Sequence, residues 1–285
     1  MRPSARALLA STCLALSAPP AAASKPIVDA PPSLAALAER VVGIDMEALG
    51  RALARADLAL PPRVHITLVA EDEDRARQTP RWIVGQAYGA GEIVIFPQRI
   101  SSYPYDSLDT VVRHEIVHLA LAARADGRPL PRWFHEGVAV SLESGWGVTD
   151  QLRLAVAASS DPAIADVSRL FRSDSRPDTE QAYLLAAALV ADLQRRHGPG
   201  LPGRIAAHVA RGVPFSQAFA RETGETADEA AARAWAVYRR WQQWVLAVSS
   251  PAAIWTLILS LAIVAGIVRL QRKARRRRAW DEEEN

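Results

Sequence analysis

The chain has 285 residues, 49% of them hydrophobic and 23% charged, a composition that excludes an intrinsically disordered polymer and leaves room for a globular core. Its formal net charge of +3 is carried by the two ends, Arg2 and Arg6 at one and the seven basic and four acidic residues of Arg269 to Asn285 at the other. The stretch between them is slightly acidic, so no global electrostatic case for a nucleic-acid partner exists; a single cysteine, Cys13, excludes a disulfide framework.

Residues 1–23 begin with Arg2 and Arg6, continue through the apolar run ALLASTCLALSA and close on Pro19-Pro20 and a string of alanines. This three-part layout predicts a secretory signal peptide cleaved after Ala23, which would remove Cys13. Residues 24–62 read as a Pro/Ala-rich linker, Ser24 to Pro32, followed by short helices that Gly43 and Gly50 interrupt and Pro61-Pro62 end. RVHITLVA (Arg63 to Ala70) alternates as a half-buried strand does, and His65 within it reads as an ordinary surface or packing residue. Glu71 to Arg77 reads as a solvated loop or helix face. RWIVGQAYG (Arg81 to Gly89) and EIVIFP (Glu92 to Pro97) predict two further strands, joined around Gly89 and Gly91. Three strands followed by a long helical remainder predict an α+β domain whose small mixed sheet comes first.

After the loop SSYPYD, the segment SLDTVVRHEIVHLALAARAD predicts a helix capped by Asp106 or Ser107, with Asp109 in its first turn and Gly127 and Pro129 stopping it. Val111, His114, His118 and Leu121 recur at helical spacing on an inward stripe. His114 and His118, one turn apart on one face, can aim two imidazoles at a single metal ion, for which zinc is the natural occupant. Glu115, one residue round the helix, is placed to serve as general base without taking a coordination position. An inward stripe of this kind is costly unless its polar groups are paired or bound to metal.

The turn PLPRW leads into a second helix, RWFHEGVAVSLE (Arg132 to Glu143), which returns Glu136 against the first; the small residues Gly137 and Ala139 let the two helices approach closely. His114, His118 and Glu136, with one position left open, make the ligand set of a catalytic zinc. His135 competes with Glu136 for the third place, and because helical neighbours point about 100° apart only one of the two is expected to reach the ion. Leu121 and Arg124 stand where the metzincin pattern requires glycine and histidine, which excludes that class.

Beyond Gly145, short helices are expected over Gln151 to Ala158 and Ala165 to Phe171. A longer one follows from Thr179 to His197, closed by Gly198-Pro199-Gly200, and Leu201 to Arg211 and Ala227 to Trp244 complete a helical half. No charged residue occurs between Arg240 and Arg269, and AAIWTLILSLAIVAGIV is apolar apart from Thr256 and Ser260. Residues 245–270 therefore read as a transmembrane helix, with Trp241, Trp244 and Trp255 near one interface. The basic cluster from Arg269 onward would place a tail, residues 271–285, in the cytoplasm.

HEIVH followed by LPRWFHEGVAVSLE resembles the gluzincin metallopeptidases, in particular the compact bacterial peptidase MA-like group, whose pattern is HExxH, a Pro-Trp turn and an EGxA helix. The resemblance runs from about Val64 to Trp244. It implies a zincin-like metallopeptidase domain over residues 63–244, with Zn2+ as cofactor, Glu136 as third ligand and Glu115 as general base. It also implies that the strand EIVIFP, through Ile93, Val94 and Ile95, lays out the substrate backbone, and that Tyr183 stabilises the oxyanion. The GxMEN signature of zinc aminopeptidases is absent from the sequence. The expectation is a membrane-anchored, extracytoplasmic zinc peptidase on the inner membrane of a Gram-negative-like envelope, its catalytic domain periplasmic. Its partners would be a peptide or protein substrate and the membrane, with no nucleic acid. The alternative is a non-catalytic metal-binding envelope module that holds a protein partner.

Overall fold

The computed structural model describes residues 25–89, 91–100, 107–143, 153–154, 157–158, 162–236, 255–256 and 258–269. The segment 1–23 expected to be a signal peptide, the loop 101–106 with the alternative cap Asp106, half of the helix expected over 151–158, and the tail 271–285 lie outside the described residues.

Four strands, β1 (Ile27–Asp29), β2 (His65–Leu68), β3 (Gly85–Tyr88) and β4 (Glu92–Ile95), form one mixed sheet in the order β1-β2-β4-β3. β1 and β4 run parallel to β2 on its two sides, while β3 runs antiparallel to β4. The hairpin from β3 thus folds β4 back into the middle of the sheet and leaves β3 at the rim. β4 carries the apolar run of a strand covered on both faces. Ile93 and Ile95 enter the main core with Ile66 and Leu68, whereas Val94 and Phe96 join Val69 and Ala76 in a smaller cluster on the other side.

The helices α1 (Ala35–Val42) and α2 (Met46–Arg55) connect β1 to β2, and α3 (Asp74–Gln78) stands between β2 and β3. Gly43 does end α1, but Gly50 lies inside α2. The stretch expected to be linker, Ser24 to Pro32, contains β1, which pairs through Ile27, Val28 and Asp29 with His65, Ile66 and Thr67. Three residues between prolines give no alternation to read, so this strand exists through its partner and not through its own pattern.

The helical half contains α4 (Leu108–Arg124), α5 (Arg132–Glu143), α6 (Ile164–Leu170), α7 (Arg176–His197), α8 (Leu201–Ala210) and α9 (Phe215–Thr223), and a further helical stretch over 227–236. α4 is the centre: residues on almost every side of it are buried, from Leu108 through Leu121, because it packs on β3 and β4 as well as on α5 and α8. Its amino terminus is capped by Ser107, whose hydroxyl accepts from the Thr110 N–H at 3.2 Å. Its carboxyl terminus closes on Gly127, in the left-handed region at φ 67°, with its N–H donating to the Ala122 carbonyl at 2.9 Å. α9, which the sequence reading passed over, is marked only by Phe215 and Phe219, one turn apart.

Gly137 lies in α5 where a Cβ would stand 2.5 Å from the Ala186 carbonyl oxygen of α7. The close approach expected of Gly137 is therefore made to α7 and not to α4, and it presses α5 against the longest helix described.

No helix among the described residues is long and apolar enough to cross a membrane, which corrects the expectation of a carboxyl-terminal transmembrane helix over 245–270. The helical stretch described there covers 258–269. Trp241, Trp244 and residues 245–254, 257 and 270 lie outside the described residues.

Candidate metal centre

α4 supplies His114, Glu115 and His118 from one turn and a fraction, and α5 brings Glu136 to meet them. His114 is fully buried, at 0% exposure, and Glu115 nearly so at 3%. The Nε2 atoms of His114 and His118 lie 3.2 Å and 3.3 Å from the same atom, Oε2 of Glu136. The two rings are perpendicular, with centroids 4.5 Å apart, so both nitrogens converge from different directions. One donor atom from each of the three residues falls within 4.8 Å of the others, and the group could hold a metal ion. It is the one such group among the described residues.

The donor chemistry fits a divalent cation: two imidazole nitrogens and one carboxylate oxygen, gathered where the carboxylate is largely buried and a lone one would be costly. Burial pushes the Glu136 pKa up, yet the charges and hydrogen bonds of His118 and His114 outweigh it and hold the carboxyl well below its usual range. Glu136 is therefore ionised and ready to ligate. Its other oxygen, Oε1, faces Arg132 Nε at 3.4 Å, and Arg132 is anchored in turn by donating to the Phe171 carbonyl at 2.8 Å.

His135 stands outside this group. Its Nδ1 lies 2.6 Å from Nδ1 of His118, the nitrogen opposite the one that faces Glu136. Burial first, and then the neighbouring His118, push its pKa down to about 3, so its ring is neutral at ordinary pH. Of the two rivals for the third place, the structure brings Glu136 to both Nε2 atoms and leaves His135 behind His118.

Glu115 points past the metal group toward the sheet. A Cβ at Gly85 in β3 would lie 2.5 Å from Glu115 Oε1, so only glycine at that position leaves room for the carboxylate. A cavity of about 780 Å³ opens at this point, lined by Gly85 and Gln86 of β3, by Glu115, His118 and Glu136, and by Tyr183 of α7. Tyr183 is 8% exposed; its ring centroid is 6.3 Å from that of His114, and it packs edge-on against Phe171 at 5.2 Å.

Ile93, Val94 and Ile95 are placed differently from the rest. They are buried at 0%, 4% and 0%, they belong to a strand hydrogen-bonded on both sides, and none lines the cavity. The strand that lines the cavity is β3, at the rim of the sheet. The sequence places Gly85 inside a strand and gives it no role, because the carboxylate it makes room for comes from α4. Sequence reading also passed over Arg99, whose buried guanidinium donates to Glu71 and to the carbonyls of Ala76, Pro80 and Ile83 and so pins the segment leading into β3.

No protein-family model matches the chain, and neither a curated protein nor a solved structure matches it significantly.

Proposed function

We propose that this chain is a zinc-dependent peptidase of the gluzincin kind, in which His114, His118 and Glu136 hold the metal and Glu115 is the general base. The observation that carries the reading is the position of Glu115. It is a buried carboxylate beside a three-donor group, lining a cavity that is also lined by β3, a strand at the edge of the sheet among the described residues. A structural ion would need neither that open side nor a second carboxylate outside the donor set.

Zinc, when bound, supplies Lewis acidity: it polarises a peptide carbonyl and acidifies water. Glu115 takes the proton from the attacking water and returns it to the leaving amine, a role that general bases fill for about 10²–10⁴-fold in rate. The Val84 carbonyl accepts from the Phe96 N–H, so by strand alternation Gly85 and Ala87 turn their own N–H and C=O outward. An extended peptide can add to this edge as a further strand, which holds its backbone along the cavity. This assigns to β3 the part that the sequence had suggested for Ile93, Val94 and Ile95. Tyr183, which also lines the cavity, is the candidate to donate to the oxyanion. The leader-like segment 1–23 supports action outside the cytoplasm, checked by amino-terminal sequencing of the mature chain, where an intact Met1 would count against it.

Purified protein should carry about one zinc by elemental analysis, and His114→Ala should lose it. Glu115→Gln should keep the metal and lose hydrolysis of a fluorescence-quenched peptide library. Wild type without stoichiometric zinc would sink the metal assignment, and an unimpaired Glu115→Gln enzyme would replace catalysis by metal-dependent binding.

A further inference from the structure

We propose that His135 is a positioning residue: it accepts the Nδ1 proton of His118 and thereby fixes the tautomer and ring orientation in which His118 Nε2 faces the metal group. The inference rests on the metal site described above and adds a role for a side chain outside its donors.

A histidine that ligates through Nε2 must be neutral and must carry its one proton on Nδ1. That proton lies in the ring plane and points away from the ligand side. In this protein the atom it meets is Nδ1 of His135, 2.6 Å away. The two rings are tilted by only 24° with centroids 4.5 Å apart, so the in-plane lone pair of one nitrogen can face the in-plane N–H of the other. Two N–H groups cannot face each other at that distance, so His135 must hold its own proton on Nε2. The pair then has one consistent arrangement: His118 donates, His135 accepts.

The group that orients a ligand histidine is commonly a carboxylate or a backbone carbonyl. A neutral imidazole draws less strongly on the proton than a carboxylate would, which leaves His118 a less electron-rich ligand. His135 also precedes Glu136 on α5. One helix therefore delivers the third donor and, on the adjacent residue, the group that aims the second donor.

The test compares zinc affinity, by competition with a chromogenic chelator, in wild type and in His135→Phe and His135→Asn. Phenylalanine fills the ring volume without an acceptor, and the asparagine Oδ1 falls at the place of Nδ1. His135→Phe should bind zinc about 10- to 100-fold more weakly, and His135→Asn should recover most of that loss. Cobalt(II) substituted for zinc should give altered visible absorption bands in the Phe variant and near-native bands in the Asn variant. Equal affinity in all three proteins, or equal weakness in both variants, would overturn the proposal. Loss of metal stoichiometry in both variants, with Glu136→Gln still loaded, would make His135 a ligand instead. A measurement on the zinc-loaded wild type needs no variant to fold: long-range 15N NMR should find His118 protonated on Nδ1 and His135 on Nε2, and the Nδ1-protonated form of His135 would refute it. If wild type takes up no zinc, the metal assignment itself falls; if it does and His135→Phe is unaffected, only the role of His135 falls.

Discussion

Replacing Gly85 with alanine moves the proposed base and nothing else in the site. The added Cβ would stand 2.5 Å from Glu115 Oε1, 3.0 Å from Cδ and 3.1 Å from Cγ, where ordinary contact begins at 3.4 Å. The carboxylate must therefore retreat by about 0.9 Å, because the methyl group is fixed to a strand paired with β4 along its length. A misplacement of about 1 Å in a reacting group costs on the order of 100-fold in rate, or about 2.7 kcal/mol in the barrier. His114, His118 and Glu136 do not touch Gly85's added methyl among its nearest contacts, so metal content should stay at the wild-type level. The assay is kcat/KM on one quenched peptide selected with the wild-type enzyme, alongside elemental analysis and a thermal melt. An alanine variant that is folded, zinc-loaded and as active as wild type would falsify the placement of Glu115 as the base.

Other substitutions probe the frame. Arg99→Met leaves the Glu71 carboxylate and several carbonyls without their buried donor, so thermal or urea unfolding should show a loss of about 3–5 kcal/mol; a change below about 0.5 kcal/mol would deny it a structural role. Gly137→Ala places a Cβ 2.5 Å from the Ala186 carbonyl oxygen and should cost about 1–3 kcal/mol and weaken metal binding together, since Glu136 is the adjacent residue; stability lost with metal affinity intact would separate the helix seam from the site. His65 bridges Asp29 at 2.7 Å and Glu92 at 3.0 Å, and the hydrogen bond it donates to Asp29, against some desolvation and with help from Glu92, raises its pKa. Its contribution to stability is therefore fully present below its unfolded pKa near 6.5 and is lost as pH rises through the higher folded value. The stability gap between wild type and His65→Gln should shrink from pH 5.5 to pH 8.5, modestly because the group is partly exposed, and a gap independent of pH would refute the clamp.

What could be read from sequence was local and periodic. His114, Glu115 and His118 were legible because a helix turns spacing directly into direction, and Ser107 and Gly127 marked where that helix begins and ends. The approach of Glu136 followed from a short turn between two helices, but the choice between Glu136 and His135 depended on about 100° of rotation that spacing alone does not fix. Sheet order was not legible. EIVIFP has the stronger strand pattern, and the family resemblance assigned it the substrate strand, yet that very apolarity records its burial between β2 and β3. The weaker pattern, GQAY, belongs to the rim, where a strand covered on fewer sides needs fewer apolar residues. His65 looked unremarkable in its strand because its partners, Asp29 and Glu92, come from the two flanking strands, one of which had been read as linker. The apolar segment near the carboxyl end likewise carries a hydropathy signal for a span that no helix among the described residues matches.

The two helices of the site hold their groups by different means. Spacing among His114, Glu115 and His118 is written into the hydrogen-bonded rise of α4 and persists as long as that helix does. Glu136 keeps its place only while α5 stays seated on α7 at Gly137 and Ala186. Loosening of the chain would thus proceed in sequence, with the carboxylate swinging away while the imidazole pair stays intact. An ion held among them would act as a clasp across a tertiary joint, and its escape would report that joint opening before any secondary structure melts.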